Sequence, residues 1–431
     1  MLDKLAIVAL TAVSVRYLPR ILRRKLPITV GGSVKPGFED VRDVFRQNFE
    51  RGLESRESGS AFAVYFKGEN VVNIFGGYAD ADSQQLWREN TLSVVYSTTK
   101  AVTAVCIALL ADRGLVEYNK PVAHYWPEFA QNGKENITVE QLMEHKAGLP
   151  LSPEPFRYDI LRDCARCGAT FASAAPLWEP GTAHGYHSVS LGPLANELLR
   201  RVDPQGRTIG RFFAEEIAKP FGIDFFIGLP LEENHRTAKL IIPDPGPAVA
   251  LKALKSSRNR RVVARSMRDT YLLKDVTLNA GDLINFKTQN NPEYRAIEIP
   301  SANGFGTAEG LAKLLGILAM GGTELASGKK LLSRELVDSF LDSEPETMDK
   351  VIKLPVSWKR GMIIDYAEDG GKIFGHPGAG GQVAFADPRY QLGFAFTSRC
   401  ASPFGLGDDP RYLTLQRAMY KCVKRIEGEN G

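Results

Sequence analysis

A serine and a lysine three residues apart stand where the polar turn Ser97-Thr98-Thr99-Lys100 runs into the apolar stretch Ala101 to Leu110. At a helix start such a pair lies one turn apart on the same face. The helix N-terminus adds free backbone N–H groups and the positive end of the dipole. These are the parts of an activated serine: a hydroxyl, an amine to take its proton, and donors for a developing oxyanion. Ser and Thr ahead of an apolar helix are also ordinary N-caps. The same S-x-x-K spacing recurs at Ser327-Gly328-Lys329-Lys330, in a predicted loop. The nucleophile reading therefore needs support from the rest of the chain.

Two further short motifs supply it. Gly185-Tyr186-His187-Ser188 follows the predicted Trp178-Glu179-Pro180-Gly181 turn, and Gly375-His376-Pro377-Gly378-Ala379-Gly380-Gly381 follows a predicted strand. The order S-x-x-K, then Y-x-N/S, then K/H-x-G resembles the serine β-lactamase and penicillin-binding-protein superfamily. It is most similar to the class C-like branch, the S12 peptidase family. That branch includes D-Ala-D-Ala carboxypeptidases, carboxylesterases and the animal β-lactamase-like proteins. Ile137 to Pro150, Glu179 to Tyr186 and Gly304 to Ala312 look like further family text, and the resemblance spans roughly residues 40 to 425.

The resemblance implies Ser97 as nucleophile and Lys100 as the amine that must be neutral to accept a proton. Tyr186 would shuttle that proton, and the N–H groups of Ser97 and Ala379 would form the oxyanion hole. Gly378, Gly380 and Gly381 would allow close approach. Burial lowers a lysine pKa from ~10.4. Two departures bear on substrate. Ser188 stands where Asn is usual, with less reach and fewer donors. In the final motif His376 stands where Lys is usual, so a fixed cation for a substrate carboxylate is lost, and Pro377 replaces a hydroxyl residue, so one polar contact is gone. Both favour an esterase or peptidase over antibiotic binding. The alternatives are a core aromatic for Tyr186 and a satisfied structural histidine for His376. His145, His184 and His187 are expected to be structural or surface residues. No H-E-x-x-H and no G-x-S-x-G occurs, so neither a zinc peptidase nor an α/β-hydrolase is expected. No cofactor or metal is expected.

The elements that must position these groups follow from composition and periodicity. The 431 residues are 44% hydrophobic and 24% charged, as in globular domains. With 54 basic against 50 acidic residues, no nucleic-acid partner is expected. The five cysteines are too few for a disulfide scaffold, and Cys164-Ala165-Arg166-Cys167 has no second pair for a zinc ribbon. Leu5 to Val15 is apolar and is followed by Arg16, Arg20, Arg23, Arg24 and Lys25. It is shorter than the ~20 residues of a comfortable bilayer span. It reads as a signal-anchor, an organellar presequence or an interfacial helix, so membrane association through residues 5–25, or organellar or secretory targeting, is expected.

Residues 26 to 38 have linker composition. Phe38 to Leu53 has helical spacing; Ala61–Phe66 and Val71–Gly77 form a hairpin about a Lys67–Asn70 turn. Further helices are expected over Val139–His145, Leu191–Arg201, Ile209–Ala218, Ala308–Met320 and Arg411–Arg425. Strands are expected over Trp358–Tyr366, Lys372–Gly375, Gln382–Ala386 and Gly393–Thr397. Residues 229–303 hold a basic stretch (Lys252, Lys255, Arg258, Arg260, Arg261, Arg265 and Arg268), expected to be a solvated insertion face.

The fold class that follows is α+β, β-lactamase/transpeptidase-like: an antiparallel sheet built from both chain ends, flanked by helices, plus a mostly helical domain. Residues 1–37 would be targeting segment and linker, 38–117 with 304–428 the α/β part, and 118–303 the helical part. The expected function is a serine hydrolase acting on a small ester, amide or peptide. The alternative is a catalytically weak scaffold used for assembly or membrane tethering.

Overall fold

The computed structural model describes residues 26–242, 271–284 and 288–428. The apolar N-terminal run and all seven basic residues named in the insertion lie outside them. No helix among the described residues is long and apolar enough to cross a membrane.

Side-chain size alternates along the central strands, and that alternation sets the layers. The strands are β1 (Val30–Val34), β2 (Gly59–Phe66), β3 (Glu69–Asp80), β4 (Gln85–Leu86), β5 (Ser93–Val94), β6 (Phe225–Ile227) and β7 (Gly304–Gly306). Then come β8 (Thr347–Met348), β9 (Pro355–Lys359), β10 (Met362–Tyr366), β11 (Lys372–Gly378), β12 (Gln382–Asp387) and β13 (Leu392–Ser398). The helices used below are α1 (Glu39–Glu50), α2 (Thr99–Asp112), α3 (Cys164–Ser173), α4 (Leu191–Val202), α5 (Ala308–Ala319) and α6 (Pro410–Ile426).

Phe62 and Val64 of β2, Val383 and Phe385 of β12, and Phe394 and Phe396 of β13 point to one face. There they bury Phe45 of α1 and Tyr412, Leu415 and Met419 of α6. Successive strand residues face opposite ways, so the other face carries Ala61, Ala63, Ala384, Ala386 and Ala395, packed with α2 and α5. The small residues let α5 lie almost on the sheet. A Cβ on Gly393 would sit 2.0 Å from the backbone nitrogen of Gly316, and one on Gly316 would sit 2.8 Å from the Tyr65 Cβ.

The large sheet has ten strands in the order β1-β3-β2-β13-β12-β11-β10-β9-β8, with β4 on β3. The two chain ends join at β2–β13, antiparallel, with Ala63 opposite Ala395. A second sheet, β5-β7-β6, lies beside the start of α2. It takes one strand, β6, from the part of the chain expected to be helical.

The structure corrects several boundaries. Val30–Val34 is not linker but an edge strand on β3, where Gly31 leaves room for the Phe75 ring. The hairpin turn is only Lys67-Gly68, both at positive φ, which suits a two-residue hairpin loop. Trp358–Tyr366 is two strands, since Arg360 (φ 50°) and Gly361 (φ 90°) reverse the chain between β9 and β10. The helix expected to end at Leu53 stops at Glu50, closed by Arg51 and by Gly52 at φ 72°.

Candidate active site

α2 is buried along nearly its whole length, so it is apolar on every side rather than amphipathic. This makes Lys100, one residue inside its start, a fully buried amine. A short 3-10 turn, Tyr96–Thr98, precedes the helix and carries Ser97. Tyr96 takes φ 48°, a conformation that costs an L-residue roughly 1–2 kcal/mol. Local bonds hold it: Thr99 Oγ1 donates to the Tyr96 carbonyl at 2.5 Å and accepts from the Gly304 amide at 2.8 Å. β7 therefore fixes the turn that presents the serine.

Lys100 Nζ donates to the carbonyls of Ser188 (2.6 Å) and Ser301 (2.8 Å) and lies 3.5 Å from Ser97 Oγ. No carboxylate is among these partners, and burial alone drives its pKa well below the usual 10.5. A neutral amine has two hydrogens and one lone pair. With both hydrogens on the carbonyls, the lone pair is left for the third neighbour, the serine hydroxyl. The Tyr186 hydroxyl donates to Ser97 Oγ at 2.8 Å, and the Lys100 ammonium position lies 4.7 Å from the centre of its ring. Burial raises the Tyr186 pKa above the ordinary tyrosine value, so its hydroxyl stays protonated.

The Tyr186 ring is held by stacking. It lies face to face with Trp358 (5.6 Å between centroids, 10°) and against His376 (6.1 Å, 28°). Its backbone N–H donates to Asp349 Oδ1, which also accepts from Val351 and Ile352. Behind it, His145 and His187 are fully buried. The Leu149 amide donates to His187 Nε2, so its Nδ1–H donates to the Gly185 carbonyl; the His187 amide donates to His145 Nδ1. His184 is likewise buried. None of the three lies on the surface.

His376, at the end of β11, is buried with its pKa pushed down to about 3 by burial and the nearby Lys100. It is neutral near neutral pH, and its Nδ1 bonds the Pro377 carbonyl. β12 pairs β11 through Gly378, whereas β10 pairs it only as far as Gly375. One edge of His376-Pro377-Gly378 is thus open. Gly378 is required by packing: a Cβ there would lie 2.2 Å from the Val95 carbonyl oxygen and 2.8 Å from Thr98 Oγ1. That closeness sets β11 against the serine turn. Gly380 and Gly381 follow at φ 79° and 91°, and Arg411 donates to the Gly380 carbonyl at 3.0 Å. Ala379 stands between Gly378 and Gly380, next to the turn that carries Ser97.

Ser97, Lys100, Tyr186, Ser188, His376, Gly378 and Ala379 thus gather at the junction of α2, β11 and the 185–188 segment. Ser188 contributes its carbonyl, not its hydroxyl, to Lys100. The second S-x-x-K is unlike the first: Ser327 bonds Glu324 and Lys330 is exposed. Cys164 and Cys167 occupy the start of α3 as free thiols whose pKa values are raised by burial. No cluster of potential metal ligands occurs among the described residues. Sequence reasoning missed Ser301, Asp349, Trp358 and Arg411, which act through the backbone, by stacking or from a distant helix. Ser301 stands just ahead of Gly304-Phe305-Gly306, Trp358 opens an expected strand and Arg411 an expected helix, so Asp349 alone of the four lies away from every expected element.

The Beta-lactamase family profile matches residues 45–418. The "Esterase/beta-lactamase LipL" of Mycobacterium tuberculosis is 33% identical over 396 residues, covering 90% of this chain and 87% of that protein. A family VIII carboxylesterase structure superposes with TM-score 0.80 at 36% identity, covering 91% of this chain and 100% of the other. A penicillin-binding protein homologue from Caulobacter crescentus gives TM-score 0.75 at 36% identity, with the same coverage.

Proposed function

This chain belongs to the β-lactamase family and is a serine hydrolase, and from that premise we propose that it hydrolyses uncharged esters through a Ser97 acyl-enzyme. The observation that carries the reading is the three-way contact of Ser97 Oγ with Lys100 Nζ and the Tyr186 hydroxyl.

The chemistry follows from those contacts. Neutral Lys100 takes the Ser97 proton as Oγ bonds the ester carbonyl carbon. The carbonyl oxygen becomes an oxyanion and accepts from the Ser97 and Ala379 amides, a contribution of about 3–4 kcal/mol per donor in comparable sites. As the ester C–O bond breaks, the departing oxygen takes a proton from the Tyr186 hydroxyl, which is restored from the Lys100 ammonium. Water then enters and gives a proton to Lys100 as its oxygen bonds the acyl carbon; the bond from that carbon to Ser97 Oγ breaks, and Oγ takes the proton back from the Lys100 ammonium as the acid leaves. The neutral His376 supports esters over substrates that need a cation for their carboxylate. A peptidase reading of the S12 type lacks a comparable observation.

The division into an α/β part (38–117 with 304–428) and a middle part (118–303) is proposed as well. So is a membrane or targeting role for residues 5–25, which rests on the apolar-then-basic pattern alone.

The test is labelling with a fluorophosphonate. One adduct on the Ser97 peptide is expected, absent in Ser97→Ala. A folded protein that takes no label would contradict the reading.

A further inference from the structure

A cavity of about 210 Å³ lies along the open edge of β11. Its walls are Ile352, Leu354, Val356, Ile363, Leu406 and Pro377, with Glu346 at its rim. Pro377 belongs to the segment of β11 that β10 leaves uncovered, beside His376. Leu354 and Val356 form one apolar cluster with Trp358, and Ile352, Ile363, Leu406 and the Tyr186 ring pack against it. The cavity and the candidate proton relay therefore share a wall.

We infer that this cavity receives the alkyl group of the departing alcohol, that the group is short and uncharged, and that Glu346 disfavours alcohols carrying a carboxylate. The inference rests on the Ser97 acyl-enzyme reading. It follows from where the proton must go. Tyr186 can protonate a leaving oxygen only within hydrogen-bond reach of its hydroxyl, so the alcohol side of the ester lies against Tyr186. Leu354 and Val356, in the apolar cluster that Tyr186 packs against, also line this cavity. Its volume falls below the roughly 300–1,000 Å³ of sites for drug-sized ligands, which sets the group at a few carbons. The exposed carboxylate of Glu346 at the cavity rim repels another carboxylate.

The residues also divide the work of selection. Leu406, half-buried on the loop before α6, sets depth. Glu346 is exposed, so it can be changed without disturbing the core.

The test compares kcat/KM for methyl acetate, n-butyl acetate and 4-acetoxybutyrate by titrating released acid. All three give the same acetyl-enzyme, so differences report the alcohol side alone. The intact protein is expected to prefer n-butyl acetate to methyl acetate about tenfold or more, the scale of a pocket reading added methylenes. It should disfavour 4-acetoxybutyrate by a similar factor. Leu406→Trp should collapse the butyl-to-methyl ratio toward one, and Glu346→Lys should bring the charged ester toward n-butyl acetate. Ser97→Ala is run beside them. Turnover that survives Ser97→Ala overturns the catalytic reading itself. Turnover that needs Ser97, with ratios near one in the unaltered protein or untouched by both substitutions, overturns the cavity assignment alone. Should Leu406→Trp fail to fold, the Glu346→Lys comparison decides.

Discussion

Lys100 has no carboxylate beside it and is wholly buried, which fixes its behaviour in two measurements. As a base it must be neutral, so activity should rise with pH through its lowered pKa and level off below the ordinary 10.5. His376, at about 3, adds no limb near neutrality, and Tyr186, raised by burial, removes none on the alkaline side until above its usual range. Lys100→Met should cost at least ~100-fold in kcat/KM. The same residue burdens the fold. It binds its proton less tightly folded than unfolded, so between its folded-state pKa and 10.5 the unfolded chain holds more protons, and stability rises with pH across that window. Lys100→Met should therefore gain in denaturant midpoint over the unaltered protein as pH falls through the window, read from unfolding curves at alkaline and near-neutral pH. Tyr186→Phe keeps the stack on Trp358 but removes the 2.8 Å bond to Ser97, and should lower kcat about 100-fold or more. At this scale Ser97, Lys100 and Tyr186 could be named from their own side-chain chemistry, but not Asp349 or Trp358, whose carboxylate and ring meet Tyr186 only once the chain has folded. Ser188 and Ser301 were not legible in that way, because they hold Lys100 through carbonyl oxygens that every residue possesses.

Elements position these groups through close backbone approach, and glycine marks the points. Gly316 of α5 meets Gly393 of β13 with no room for a Cβ. Gly393→Val should cost at least the roughly 1–3 kcal/mol of an overpacked core, visible as a lower midpoint in denaturant. Periodicity gave β2, β12, β13, α4, α5 and α6 nearly as they stand, since each has a clear apolar pattern. It failed where two residues reversed the chain. Arg360 is not a typical turn residue, so β9 and β10 read as one strand. It also failed for β1: Gly31 admits the Phe75 ring and Gly32, at φ 91°, lies against the Asn73 carbonyl, yet together they have the composition of a linker.

Across the whole molecule, the two chain ends close on one buried charge network. Arg411 at the start of α6 reaches Glu54 after α1 (3.2 Å), Asp409 (2.7 Å), Ser398 (3.0 Å) and the carbonyl of Gly380. It therefore links the N-terminal segment, the C-terminal helix and the turn bearing Ala379. Arg411→Met would leave two buried carboxylates without their cation and should destabilise by about 3–5 kcal/mol, measurable by chemical unfolding. Expected strands at both ends of the chain, with helices between, were enough to anticipate a sheet made from both ends. The network was not legible, since Glu54, Asp409 and Arg411 look like ordinary surface charges until the fold buries them. All of this architecture converges on one hydroxyl. The most direct test is rapid acid quench of the protein during turnover of phenyl acetate, followed by peptide mapping. An acetyl group on the Ser97 peptide, missing in Ser97→Ala, is the expected result. Turnover with acetyl on no peptide, or on one that lacks Ser97, would contradict the account.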